Sequence, residues 1–127
     1  MDAGRVLVIE DQSYLREMVV EILNEFGYAA SGSDDARQAL ADMPRLQPDL
    51  IVLDMWMPTM NGRVFVERLR ADARFTALPV IIVSGDRSIG LDTDRYPHVK
   101  FLMKPFEASA LIDLARALIV PRIPASA

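Results

Sequence analysis

The sequence predicts an α/β domain, a five-stranded parallel sheet covered by helices on both faces. Three observations predict it. Short apolar runs alternate with stretches of helical periodicity along the chain. The runs are apolar at successive positions, as strands buried on both faces must be. Three of them end in an acid or a lysine, at Glu10-Asp11, Asp54 and Lys104. That places ionisable groups at the carboxyl ends of strands, where open α/β sheets carry their chemistry.

The elements follow in order. Arg5 to Ile9 is the first strand. The first helix has Leu15, Met18, Val19, Ile22, Leu23 and Phe26 at inward spacing, and Gly27 stops it. Tyr28 to Ser31 is a weak second strand. Asp34 to Met43 is a helix that turns Ala36, Ala39, Leu40 and Met43 inward and is stopped by Pro44. Leu50 to Leu53 is the third strand. A helix from Gly62 to Ala71 buries Phe65 and Leu69. Val80 to Val83 is the fourth strand and Val99 to Leu102 the fifth. The last helix runs from Glu107 to Leu118, with Leu111, Ile112, Ala115, Leu118 and Ile119 on one face. Between Asp86 and His98 symmetry asks for a further helix. Gly90, Pro97 and the sparse apolar residues there make it short or irregular.

Composition narrows the function. At 127 residues the chain is one domain with a full core, which we assign to residues 1–119, leaving 120–127 as a C-terminal tail. The net charge of -4 argues against direct nucleic-acid binding, which calls for a basic stripe. No apolar run reaches membrane-spanning length, so no membrane insertion is expected. Cysteine is absent, which excludes thiolate metal sites and agrees with a cytoplasmic location. His98 is the only histidine, and it reads as a surface residue, so histidine triads and histidine-rich metal sites are excluded.

Glu10, Asp11 and Asp54 converge if their strands are neighbours. Three carboxylates in one cleft raise each other's pKa, so a positive group has to compensate. A hard divalent cation such as Mg²⁺, held by carboxylates and water, does this. Lys104 adds a second positive charge. Cation, lysine and carboxylates together suit a phosphoryl group, with one carboxylate as nucleophile. Asp54 is the candidate nucleophile, because it stands alone at its strand end. Ser84 is placed to donate a hydrogen bond to a phosphate oxygen.

Glu10-Asp11, Asp54 followed by Pro58 and Gly62, Ser84-Gly85, and Phe101 to Lys104-Pro105-Phe106 together resemble the receiver domains of two-component response regulators. The resemblance covers essentially the whole chain. It implies a flavodoxin-like doubly wound sheet in the order 2-1-3-4-5. It also implies a phosphoacceptor at Asp54, served by a histidine kinase or a histidine phosphotransfer protein, and an unknown downstream protein target. Mg²⁺ would be held by Asp11, Asp54 and the backbone carbonyl of Trp56, with Glu10 acting through a water. Lys104 would contact the phosphate, the Lys104-Pro105 bond would be cis, and Ser84 with Phe101 would be the switch pair. Glu10 stands where many members have Asp, Gly85 where many have Ala, and Phe101 where many have Tyr.

Each residue also has a plainer reading. An acid after a strand is often a helix cap, Ser84 a turn residue, Phe101 a core residue, and Met55, Met57 and Met60 gap-fillers beneath the site. The alternative function is a degenerate receiver that acts as a phosphorylation-independent interaction module. The intact acidic set and Lys104 count against it. An aspartyl-phosphate phosphatase of another fold would usually carry a second Asp where this chain has Trp56.

Overall fold

The computed structural model describes residues 3–86 and 96–119. Five strands, β1 (Arg5–Ile9), β2 (Ala29–Ser33), β3 (Leu50–Asp54), β4 (Val80–Ser84) and β5 (Val99–Met103), form one sheet in the order β2-β1-β3-β4-β5. Every pairing in it is parallel. Among the described residues the α-helices are α1 (Ser13–Glu25), α2 (Ala36–Leu46), α3 (Gly62–Arg70) and α4 (Ala108–Leu118), with a short 3₁₀ turn at Ala73–Phe75. This is the doubly wound α/β fold. The short or irregular helix expected between β4 and β5 falls on residues 87–95, and the tail on 120–127. Both lie outside the described residues.

The period-two side-chain alternation of the strands divides the core into two layers. Leu7, Ile9, Ile51, Leu53, Val80 and Ile82 face α2 and α3, where Met43, Phe65 and Leu69 close the layer. Val6, Val8, Leu50, Val52, Ile81 and Val83 face the other way, onto Val19 and Leu23 of α1 and Leu111, Ile112 and Ala115 of α4. This is why the central runs read as continuously apolar.

Three details differ from the sequence reading. Phe26 is not inward but 47% exposed. It is the C-cap of α1, with φ -93 and ψ 12, so its side chain leaves the helical stripe. The chain then reverses at Gly27 with φ 95, and Tyr28 takes the buried place. The Arg116 guanidinium lies 5.9 Å from the Phe26 ring centre, a cation–π contact that covers the ring from outside. Second, α2 runs through Pro44 to Leu46. Pro44 has no N–H to give to Leu40, but its fixed φ is helical, so the helix loses one bond and continues. It ends at Gln47, whose N–H still bonds Met43 O at 3.0 Å and whose left-handed φ of 44 turns the chain out of the helix. Third, β2 begins one residue later than read and extends to Ser33. It is an edge strand of small residues, so hydrophobicity marks it poorly. Asp35, whose side chain accepts from the Arg37 and Gln38 N–H groups, caps α2.

Candidate functional site

Parallel strands put all their carboxyl ends at one edge of the sheet, and the register lines up the functional groups there. Ile9 pairs with Leu53, so Glu10 follows β1 beside Asp54. Asp54 pairs with Val83 and Ser84 with Met103, so Ser84 and Lys104 take the next steps along the same edge. Backbone bonds continue past the ladder and fix this row. Met55 N–H donates to Val83 O at 3.0 Å, and Lys104 N–H to Ser84 O at 2.8 Å. Glu10 N–H donates to Ser33 O at 3.0 Å.

One carboxylate oxygen from each of Glu10, Asp11 and Asp54 lies within 4.8 Å of the others. Asp11 is exposed, Asp54 partly buried and Glu10 almost fully buried. Lys104 reaches across β4 to place Nζ 3.1 Å from Asp54 Oδ1 and 3.7 Å from Glu10 Oε1. A lysine stem suits that span, because neighbouring strands lie ~4.8 Å apart. The Lys104-Pro105 peptide bond is cis.

The electrostatics are those of an unbalanced cluster. Both Glu10 carboxylate oxygens are buried and accept no hydrogen bond. Burial first, then the neighbouring Asp54 carboxylate, push Glu10 up to about 7, against the pull of Lys104. One ammonium group does not offset three acids. All the free donors are hard oxygens, and two of them, on Glu10, have no hydrogen-bond partner. That donor set fits a hard divalent cation such as Mg²⁺.

The loop after Asp54 is held close to the site. Gly62 N–H donates to Met55 O at 2.7 Å, and Asn61 Oδ1 accepts from Val64 N–H at 2.9 Å to cap α3. A Cβ on Gly62 would lie 3.2 Å from both Met55 Cα and Met55 Sδ. Gly62→Ala is therefore expected to destabilise the domain by about 1 kcal/mol through overpacking. A thermal melt checks this, and an unchanged or raised Tm would count against so tight a loop. Met55, Met57 and Met60 are buried beneath the site, whereas Trp56 between them is 57% exposed.

Ser84 is buried, and its Oγ accepts from Asp86 N–H at 3.0 Å. Phe101 is half-buried and packs against the layer formed with α2 and α3. Asp11 does not cap α1. The N-cap is Gln12, whose side chain makes no capping bond. His98 is exposed in the turn before β5. Sequence reasoning passed over Arg16, whose Nη1 donates to Glu10 O at 2.8 Å. Its position among exposed polar residues of an amphipathic helix carries no signal of that contact.

A family model for the response regulator receiver domain matches residues 6–116. The chain belongs to that family. The receiver is 34% identical over 131 residues to the alkaline phosphatase synthesis transcriptional regulatory protein SphR of Synechococcus elongatus, covering 92% of this chain and 49% of that protein. It is 32% identical over 118 residues to the DNA-binding response regulator MtrA of Mycobacterium tuberculosis, covering 89% and 49%. The receiver thus spans about half the length of these curated relatives. Among solved structures it superposes on the chemotaxis response regulator CheY4 of Vibrio cholerae with a TM-score of 0.83 at 26% identity, over 91% of this chain and 98% of that one. The signal receiver domain of a signal transduction histidine kinase from Syntrophus aciditrophicus gives 0.83 at 26% identity, over 96% of each chain. Among the described residues no helix is long and apolar enough to cross a membrane.

Proposed function

We propose that Asp54 accepts a phosphoryl group from a histidine kinase or a histidine phosphotransfer protein, and that the acyl phosphate resets the surface offered to a downstream protein. The observation that carries this reading is the placement of the Asp54 carboxylate between two other acids and the Lys104 ammonium. A structural acid at a strand end has no use for such a neighbourhood.

Asp54 attacks phosphorus through a carboxylate oxygen, an acyl phosphate forms, and the P–N bond of the donor phosphohistidine breaks. The leaving imidazole nitrogen keeps the bonding pair. Glu10, Asp11, Asp54 and the Trp56 carbonyl would hold Mg²⁺, Glu10 through a water. When bound, the cation supplies charge neutralisation at the phosphate oxygens. Lys104 would supply the same, exchanging an Asp54 oxygen for a phosphate oxygen. Ser84 donates its hydroxyl to another phosphate oxygen, and Phe101 turns further into the space behind it. In this reading residues 1–119 are the receiver domain and 120–127 follow it. The domain itself reads no nucleic acid. The DNA binding for which MtrA is named would lie in a part of such proteins that this chain does not cover.

Intact mass after treatment with a small phosphodonor and Mg²⁺ tests the proposal. The wild-type protein is expected to gain one phosphate, and Asp54→Asn or a chelator to abolish the gain. A mass unchanged with both small donor and kinase would instead identify a phosphorylation-independent interaction module.

A further inference from the structure

The turn that carries Asp11 is held in an unusual way. It runs from the end of β1 into α1, yet α1 has no side-chain cap. Instead the Arg16 guanidinium folds back from α1. Its Nη1 donates to Glu10 O at 2.8 Å, and Asp11 O stands at 3.5 Å, the outer limit of a hydrogen bond. These are the backbone carbonyls of the two residues whose carboxylates enter the acidic cluster. The Arg16 stem lies across the edge strand at Gly32. A Cβ at that position would come within 2.9 Å of both Arg16 Cγ and Cδ, so the arginine would have to move. Gly32 pairs with Val8, two residues before Glu10.

We propose that Arg16 is a positioning residue of the cation site. It acts through the backbone of Glu10 and Asp11, and the missing side chain at Gly32 gives its stem the room to do so. The inference rests on the metal-site reading above. Both contacts run from one nitrogen, Nη1, which the planar guanidinium holds in a fixed orientation, as an ammonium on a flexible stem does less well. Asp11 is exposed, so packing does not orient its carboxylate. Its backbone orientation therefore decides whether its carboxylate faces Glu10 and Asp54. The sequence conceals this, because Arg16 reads as one more solvated residue and Gly32 falls just past the second strand as read.

The test compares wild-type protein, Arg16→Lys and Gly32→Ala, all as the full chain. Mg²⁺ dissociation constants are measured by calorimetry at one ionic strength, and metal-free Tm is measured beside them. Arg16→Lys keeps the charge and removes the planar guanidinium. Gly32→Ala keeps the arginine and displaces its stem. Both are expected to raise the Mg²⁺ Kd by about tenfold, the lower end of what outer partners of metal ligands contribute. Amide exchange at Asp11 and Gln12 should speed up in metal-free protein. An unchanged Kd in Arg16→Lys overturns the inference even if Tm falls, because a purely structural arginine alters stability alone. Wild-type protein that takes up no Mg²⁺ is a different result. It overturns the metal-site reading itself, and this inference with it.

Discussion

Glu10→Gln is expected to stabilise the metal-free domain at pH 8 and to leave it almost unchanged at pH 4. Burial and Asp54 raise the folded-state pKa of Glu10 from 4.5 to about 7. In the unfolded chain the group ionises near its ordinary value. Between those two values the folded state holds a proton that the unfolded state has lost, so stability falls as pH rises. Below the window both states are protonated and the penalty is absent. Above about 7 both are ionised, and the folded state carries the full cost of a buried carboxylate without a hydrogen bond. At 1.36 kcal/mol per pKa unit that cost is about 3 kcal/mol, and the neutral amide avoids most of it. Saturating Mg²⁺ should close most of that gap. A ligand that binds only the native state adds about 2.7 kcal/mol at one hundred times Kd, and the variant has lost one of the carboxylates that would attract it. Melts in chelator and in Mg²⁺ at the two pH values check both halves. A wild-type Tm independent of pH from 4 to 8 in chelator would contradict the account.

Lys104→Ala should move stability the other way. Lys104 Nζ is paired with Asp54 at 3.1 Å and with Glu10 at 3.7 Å. Removing it leaves the acids to repel one another with no cation between them. A fully buried pair broken in this way costs several kcal/mol, but the Lys104 side chain is 30% exposed, so water screens part of the effect. The expected loss in metal-free protein is about 1–3 kcal/mol. The functional consequence is sharper. The variant should still take up phosphate on Asp54, while Ser84 and Phe101 stay in their unphosphorylated arrangement. Their NMR shifts measure this, and changes as large as in wild-type protein would show that the lysine does not link phosphate to switch. Opposite stability effects at Glu10 and Lys104 are a demanding test, since general damage to the fold lowers Tm in both.

Legibility in the sequence followed burial. The central strands were read to within a residue because both faces are covered, so each writes an unbroken apolar run. Edge strand β2 has only small residues to bury, and its bounds were misjudged. Pro44 looked like a stop because interior prolines usually are one. Only the backbone shows that the helix needs two more residues to reach the turn at Gln47. Phe26 fits a helical stripe on paper, yet the C-cap geometry swings it outward. At the site, residues at strand ends were legible. Parallel strands bring their carboxyl ends to one edge, so Glu10, Asp11, Asp54 and Lys104 had to meet if the strands were neighbours. What was not legible were contacts made through backbone atoms. Arg16 acts on carbonyls and Gly32 acts by leaving space, and neither has a residue-type signature.

Asp54 is the proposed phosphoacceptor. The most direct measurement is to phosphorylate the wild-type protein with Mg²⁺ present, reduce the acyl phosphate with borohydride, and sequence the peptides by mass spectrometry. Reduction turns an aspartyl phosphate into homoserine at the modified position. The account predicts homoserine at position 54 and nowhere else. Conversion at Glu10 or Asp11, or no conversion under conditions that add phosphate to the intact protein, would contradict it.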